Sequence, residues 1–178
     1  MSGDPRFRET QRFRQGWLWA FLLVTNVPIL LLLGVIFADE YGGITREAIR
    51  NGALTLLALV LPLVLIHRAV LVTEVRDDGL YLKFFPFHLR FRRIPFEEIT
   101  AVESSEYSAM RDYGGWGIRW GLSLTRDGLS WDEKGTAYIV DGSEGVRITR
   151  DGTRPLLVGS ERADELRRAI EDGRRRRY

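Results

Sequence analysis

The chain contains 178 residues, of which 45% are hydrophobic, and it carries a formal net charge of +2 and no cysteine. This length suits one ordinary domain with an appendage, and the absence of cysteine excludes disulfides and thiolate metal sites. Many of the hydrophobic residues are concentrated in two uncharged runs, residues 17–38 and 52–66, so the composition predicts a membrane part followed by a polar domain.

The beginning of the chain predicts a membrane hairpin. Residues 1–16 form a basic N-terminal arm, and residues 17–72 form a transmembrane hairpin with spans at about 17–38 and 50–70. About twenty helical residues cover the roughly 30 Å hydrocarbon core of a bilayer. Because the connection between the spans is short, the two spans must run antiparallel.

The placement of arginine predicts the orientation of the hairpin. Positive flanks stay in the cytoplasm, and arginines stand before the first span and after the second, whereas the connection has only Arg46 and Arg50, offset by three acidic residues. We therefore expect a two-pass protein of the cell (plasma) membrane with cytoplasmic N and C termini. Asp39 and Glu40 follow the first run directly, where a signal peptide would have a small-residue cleavage site.

Thr25, Asn26 and Pro28 in the first span and Pro62 in the second are obvious departures from apolarity. Two helices cannot enclose an aqueous path by themselves, so we interpret these residues as a kink and a hydrogen bond from Asn26 across the helices, not as a transport path. A homo-oligomer would alter that interpretation.

Residues 73–172 change to short β-rich runs at a spacing of about ten residues, which is typical of an antiparallel sandwich or barrel. The runs that predict strands are residues 69–75, 80–85, 89–94, 99–106, 116–124, 136–141, 145–150 and 154–159. Four Asp-Gly pairs between or beside the runs are signals for hairpin turns: Asp78-Gly79, Asp127-Gly128, Asp141-Gly142 and Asp151-Gly152.

An amphipathic pattern near the end of the chain predicts a helix over residues 160–171, with Ser160 as its cap. We expect this helix to cover an open end or edge of the β structure. Residues 173–178 form a basic tail that is interpreted as solvated, although on a membrane-tethered domain each arginine could gain about 1 kcal/mol from anionic lipid. Residues 73–178 carry nineteen Lys or Arg and nineteen Asp or Glu, which argues against nucleic-acid binding.

Three segments resemble the bacterial pleckstrin-homology-like (PH-like) membrane proteins, small prokaryotic proteins with an N-terminal two-helix transmembrane hairpin. They are RRIPFEEITAVE (92–103), GGWGIRWG (114–121) and GVRITRDGTRPLLVGSERADELRRAI (145–170). The resemblance implies an α+β membrane protein whose hairpin precedes a PH-like antiparallel β-barrel or sandwich of about seven or eight strands, capped by a C-terminal helix. It implies a fold and a membrane location, and it carries over no catalytic residues.

The stretch RDYGGWGIRWG (111–121) is the most unusual in the chain. Taken as a strand, it directs Trp116, Ile118 and Trp120 towards the interior of the barrel and leaves Arg119 as the charged group on a glycine-lined face. A curved barrel strand is favoured over a binding groove. If the preceding segment, 107–113, is irregular and lies over the same face, the candidate ligand or partner surface consists of Arg111, Tyr113, Trp116 and Arg119.

Catalytic and metal sites are not expected. The two histidines, His67 and His88, lack the acid-histidine spacing of a metal site, and Ser104 and Ser105 have no nearby histidine. We expect no cofactor and no enzyme activity.

The sequence thus predicts a non-enzymatic scaffold or binding module at the membrane surface. Its expected partners are the lipid bilayer and either anionic lipid headgroups or another membrane protein, and the sequence is compatible with a homo-oligomer. The alternative is a small transporter or channel subunit, or an assembly factor, that works as an oligomer.

Overall fold

The computed structural model describes residues 4–41, 45–120, 123–125, 128–130 and 135–176. The chain is an α+β protein that divides into two compact units. The α unit is Arg14–Arg68, and the β unit is Met1–Phe13 together with Ala69–Tyr178. The β unit is therefore assembled from the segments on both sides of the α unit in the sequence.

Two long helices make up the α unit, α1 (Gly16–Tyr41) and α2 (Arg46–Arg68). Both are long and apolar enough to cross a membrane, and their most apolar stretches are not buried. Near the start of α1 and the end of α2, the rings of Trp19 and His67 lie edge to face with centroids 5.6 Å apart. This contact confirms that the two helices run antiparallel.

The described residues of the β unit form short strands and two further helices. The strands are β1 (Phe7–Arg12), β2 (Val70–Arg76), β3 (Gly79–Phe85), β4 (Arg92–Pro95), β5 (Ile99–Glu106), β6 (Gly117–Trp120), β7 (Ser123–Thr125), β8 (Gly128–Ser130), β9 (Thr136–Ile139), β10 (Glu144–Arg150) and β11 (Thr153–Gly159). The helices are α3 (Ala109–Tyr113) and α4 (Ala163–Arg175), and a 3-10 turn spans Phe96–Glu98.

The strands form two open sheets and a small ribbon. The first sheet has the antiparallel order β1-β2-β3-β4, the second has the order β5-β10-β11-β9-β6, and β7 pairs with β8 separately. Within the second sheet, β9 and β11 are parallel neighbours. The main core combines apolar side chains of both sheets with those of α4, among them Leu71, Leu82, Phe84, Val146, Ile148, Val158, Leu166 and Ile170.

The N-terminal arm differs from its prediction because residues 7–12 form an edge strand. β1 pairs with β2 in antiparallel register from Phe7↔Val75 to Arg12↔Val70. Its side chains alternate strictly between buried and exposed, and Phe7 lies in the main core. The strand was missed because two of its three buried positions carry the polar residues Glu9 and Gln11.

Glu9 connects β1 through hydrogen bonds to the segment that leads into α4. One carboxylate oxygen accepts hydrogen bonds from Gln11 Nε2 and from the backbone N–H of Glu161, both at 2.9 Å. The other oxygen accepts from the Ser160 hydroxyl, and Gln11 Nε2 also donates to the Gly159 carbonyl at 3.0 Å. Buried polar groups are stable only when such partners are present, so this cluster fixes β1 in one register.

The predicted β runs correspond to strands. Of the predicted barrel or sandwich of about seven or eight strands, the structure shows two open sheets and not a closed barrel. The sheets are open, with β1 and β4 at the edges of the first sheet and β5 and β6 at the edges of the second. The run predicted over 116–124 is divided between β6 and β7. Two strands, β1 and β8, had no predicted counterpart.

The Asp-Gly turns are confirmed at two positions. Asp78-Gly79 lies at the connection of β2 to β3, and Asp151-Gly152 lies at that of β10 to β11. Asp141-Gly142 does not close a hairpin, because β11 lies between β9 and β10 in the sheet. For the fourth pair, Asp127 lies outside the described residues.

The C-terminal helix is confirmed but begins and ends later than predicted. Its N-cap residue is Arg162, which has no side-chain cap hydrogen bond. Ser160, the predicted cap, lies outside the helix, where its hydroxyl donates to Glu9 and accepts from the Arg162 N–H at 3.1 Å. The helix extends into the predicted basic tail, where Arg174 donates to the Thr100 carbonyl at 3.0 Å.

Replacing Glu9 with alanine tests the role of the buried cluster. Glu9→Ala leaves the Ser160 hydroxyl and the Glu161 N–H without their acceptor, so we expect the free energy of unfolding to fall by about 1–3 kcal/mol. Urea unfolding of the full chain in detergent, followed by tryptophan fluorescence, measures the change. Glu161→Ala is the matched control because its exposed side chain is lost while its N–H is kept, and an equal loss in both variants would contradict the assigned role.

Candidate functional site

The second sheet has apolar side chains on both faces. Tyr138, Val146 and Val158 point into the main core, whereas Ala137, Ile139 and Leu157 belong to a separate apolar cluster. Because neighbouring residues of a strand point to opposite faces, this separate cluster lies on the face turned away from the main core. We call it the outer face.

Helix α3 covers the outer face. Ser108 accepts the Arg111 N–H at 3.4 Å, while the Asp112 carboxylate accepts the Ser108 N–H at 2.7 Å. This reciprocal pair starts the helix in a segment, 107–113, that was expected to be irregular. The rings of Tyr107 and Tyr113 pack edge to face with centroids 6.4 Å apart.

A glycine turn connects α3 to β6. Gly114 is left-handed at φ 68°, and Gly115 and Gly117 have φ values of 131° and 99°, which side chains rarely adopt. A Cβ on Gly115 would lie 3.1 Å from the guanidinium of Arg119. The glycines therefore let the chain reverse tightly and let Arg119 fold back over the turn.

The structure places three of the four candidate residues on the outer face. Tyr113 is buried in the outer-face cluster, with 4% of its surface exposed, and Trp116 is half-buried against it. Arg119 pairs with Ala137 across the strands and therefore shares the outer face, where its Nε donates to the Trp116 carbonyl at 2.8 Å. Arg111 is exposed on α3.

The predicted inward face of the glycine-tryptophan strand is only partly correct. Ile118 packs against the main core, but Trp116 packs against the outer-face cluster and Trp120 is 63% exposed. The strand β6 is short and lies at the edge of its sheet, so Trp120 extends past the core. The left-handed glycines break the alternation that was expected to place all three on one side.

The outer face has the chemistry of a binding surface. Burial raises the pKa of the Tyr113 hydroxyl and raises that of Tyr107 further, so both phenols stay protonated at neutral pH and act as packing groups. Arg119 presents an exposed cation on the face that also carries the partly exposed Trp116, and it donates to the Trp116 carbonyl. Such a pair suits an anionic or planar ligand, and its use as a ligand or partner surface stays a prediction.

The connection between β3 and β4 is a second surface, which we call the aromatic loop (residues 85–91) and which the sequence pattern did not single out. Phe87 is 67% exposed and Leu89 is 75% exposed. The Phe87 ring stacks on the buried Phe84 ring at 5.7 Å, and the His88 N–H donates to the Phe84 carbonyl at 2.7 Å. The available signal was the sequence FFPFHLRF itself, in which apolar and basic residues alternate.

His88 is the histidine of the aromatic loop. Its ring lies 5.7 Å from the ring of Tyr138, and partial burial, reinforced by the charge of Arg92, lowers the pKa of the imidazole below its usual value. Lowering that pKa favours the neutral imidazole at neutral pH. The positive charge of this surface therefore belongs to its arginines.

No protein-family model, no curated protein and no solved structure matches the chain. The two surfaces are accordingly interpreted from their own geometry.

Two tryptophans of the same segment give a matched test of the outer face. We expect Trp116→Ala to lower the free energy of unfolding by about 1–3 kcal/mol, less than the about 3–5 kcal/mol for a fully buried ring, because the indole is half-buried. Trp120→Ala, which removes an exposed ring, should change stability little. Thermal unfolding of the full chain in detergent measures both, and equal effects would contradict the assigned packing.

Proposed function

We propose that the chain is a two-pass integral membrane protein whose β unit is a non-enzymatic binding module at the membrane surface. The observation that carries the proposal is the exposure of both apolar helices. Val24, Leu31 and Val35 of α1 and Leu54 of α2 are each more than half exposed. A soluble protein rarely leaves so continuous an apolar surface in water, whereas a bilayer covers it.

The pairing of β1 with β2 supports the hairpin topology. β1 precedes α1 and β2 follows α2, yet both strands belong to one sheet. If each helix crosses the membrane once, the two strands emerge on the same side, as their pairing requires. The arginines that flank the helices on this side then favour the cytoplasm over the exterior.

The polar side chains of α1 support an anchoring role. The Thr25 hydroxyl donates to the Phe21 carbonyl at 2.9 Å, and Asn26 Nδ2 donates to the Leu22 carbonyl at 2.8 Å. The interpretation of Asn26 as a donor across the helices is therefore replaced by a bond within its own helix. A polar group satisfied in this way is tolerated in hydrocarbon.

A groove between α1 and α2 has a volume of about 710 Å³ and bears on the alternative function of a transporter or channel subunit. Its lining has no charged side chain and is formed by Leu30, Leu33, Gly34, Phe37, Ala38, Ala48, Ile49, Gly52, Ala53, Thr55 and Leu56. Ion pathways are generally lined by ionisable or polar groups. The groove therefore favours the anchor over the transporter.

The assignment of the β unit to the PH-like proteins belongs to this proposal. It is supported by the two open sheets, by the C-terminal helix that packs against their shared core, and by the segments that resemble that family. Folds of this kind carry many functions, so the fold does not indicate the binding role. We infer that role from the outer face with Trp116 and Arg119.

Single cysteines test the membrane topology cleanly because the chain has none of its own. We expect Glu47→Cys, in the first turn of α2, to react with a membrane-impermeant maleimide in intact cells. Asp4→Cys and Arg176→Cys should react only after the membrane is permeabilised. The reverse labelling pattern would contradict the orientation, and release of the chain by alkaline carbonate would contradict membrane insertion.

A photo-crosslinking residue at position 119 tests the binding role. We expect it to give a discrete crosslinked product in native membranes, because Arg119 is exposed beside Trp116. Thr10, an exposed residue of β1 in the first sheet, is the control position and should give none. Reconstituted vesicles should show no ion flux above empty vesicles, and flux that depends on the protein would favour the transporter.

A further inference from the structure

We infer that the aromatic loop inserts Phe87 and Leu89 into the interfacial layer of the bilayer and places Arg90 and Arg92 among anionic headgroups. This inference rests on the proposed membrane function and adds a second attachment of the β unit to the lipid. Phe87 and Leu89 are the two most exposed of the large apolar side chains described in the β unit. They stand two residues apart in one loop.

In the register of the first sheet, the aromatic loop lies at the end of the strands where β1 leads into α1 and β2 follows α2. Arg12 pairs with Val70, and Val70 pairs with Phe85. Arg12 is the last residue of the strand before α1, and Val70 follows α2 after Ala69 alone. The loop thus begins beside the two points where the chain leaves for the α unit and returns from it.

Ring contacts within the β unit strengthen this placement. Phe84 lies edge to face with Phe13 at 6.5 Å and is stacked by Phe87 at 5.7 Å. Phe13 is the last residue of the β unit before the chain enters the α unit. The exposed ring of Phe87 is therefore connected through one buried ring to the segment that leads into α1.

Contacts within the β unit hold the loop in its exposed shape. Its first residue, Phe85, is still paired in β3, and the His88 N–H closes a turn on the Phe84 carbonyl. Phe91, at its far end, packs edge to face with Tyr81 at 6.3 Å. A preorganised loop loses little conformational freedom on binding, and the short connections from the first sheet to the two proposed spans raise its effective concentration at the bilayer.

The charges around the loop fit an anionic surface. Residues 79–95 contain Lys83, Arg90, Arg92 and Arg93 and no acidic residue. Arg93 is engaged by Asp78 at 3.0 Å. Arg90 and Arg92 are also exposed, and Arg92 Nη1 donates to the Tyr138 hydroxyl at 3.5 Å. Apolar side chains flanked by arginine are typical of segments that lie in the interface of anionic membranes.

Fluorescence quenching by lipids measures the depth of the loop. The full chain, carrying a single NBD-labelled cysteine, is reconstituted into phosphatidylcholine vesicles with a minority of phosphatidylglycerol. Leu89→Cys reports on the loop, Met110→Cys is the control at an exposed apolar residue of α3 (62% exposed), and Leu31→Cys reports on α1 (68% exposed). Lipids with a nitroxide at a shallow or a deep acyl position serve as quenchers.

We expect the shallow nitroxide to quench the probe at 89, the deep nitroxide to quench the probe at 31, and neither to quench the probe at 110. Adding Phe87→Ser should reduce quenching at 89 to the level at 110, which shows that the loop and not the dye drives insertion. In vesicles of phosphatidylcholine alone, quenching of the probe at 89 should also be weaker. Phe87→Ser is expected to leave the main core folded, which thermal unfolding checks.

The other outcomes separate the two proposals. Deep quenching at 31 without quenching at 89 overturns the loop insertion and leaves the membrane span intact. A blue-shifted probe at 89 that neither lipid quenches overturns it too, because the loop is then covered by protein. Absence of quenching at 31 overturns the membrane function and the loop insertion together.

Discussion

The pairing of β1 with β2 is the constraint on which the rest of the structure depends. It joins two segments that are separated in sequence by the whole α unit, from Arg14 to Arg68. Phe7 then enters the main core, and Glu9 engages the segment before α4. On the opposite face, Glu74 of β2 pairs with Arg76 at 2.6 Å and with Arg8 of β1 at 3.3 Å. Apolar, polar and ionic contacts thus all depend on the same register.

The second sheet gives the β unit two different surfaces. Its inner face completes the main core, and its outer face is covered by α3 and the glycine turn, which bring Tyr113, Trp116 and Arg119 to one place. The aromatic loop belongs to the first sheet instead. A partner on the outer face and a lipid surface at the aromatic loop therefore use different elements, and insertion of the loop does not require a partner on the outer face.

The two long apolar helices and most strands could be predicted because their signals are local. Uncharged runs of sufficient length mark the helices, and alternation marks strands such as β3 and β10. The signals that failed depend on distant partners. Glu9 and Gln11 resemble surface residues until Gly159 and Ser160 supply their hydrogen bonds, and Ser160 was assigned as a helix cap for the same reason. Trp120 was placed in the core because its position on a short edge strand cannot be read from the sequence.

The candidate site was predicted only as a set of neighbouring residues. Tyr113, Trp116 and Arg119 share a face for a reason that sequence spacing does not give, namely the tight reversal at Gly114 and Gly115. One further consequence of the position of α1 and α2 between β1 and β2 along the chain concerns biosynthesis. β1 is synthesised first, and its partner β2 follows only after residues 13–69. At a synthesis rate of about 5–20 residues per second, β1 has an unpaired hydrogen-bonding edge for several seconds. If the two helices cross the membrane as proposed, a nascent chain in which only one of them crosses would leave the two edges on opposite sides of the bilayer, so the first sheet is completed only when both have crossed.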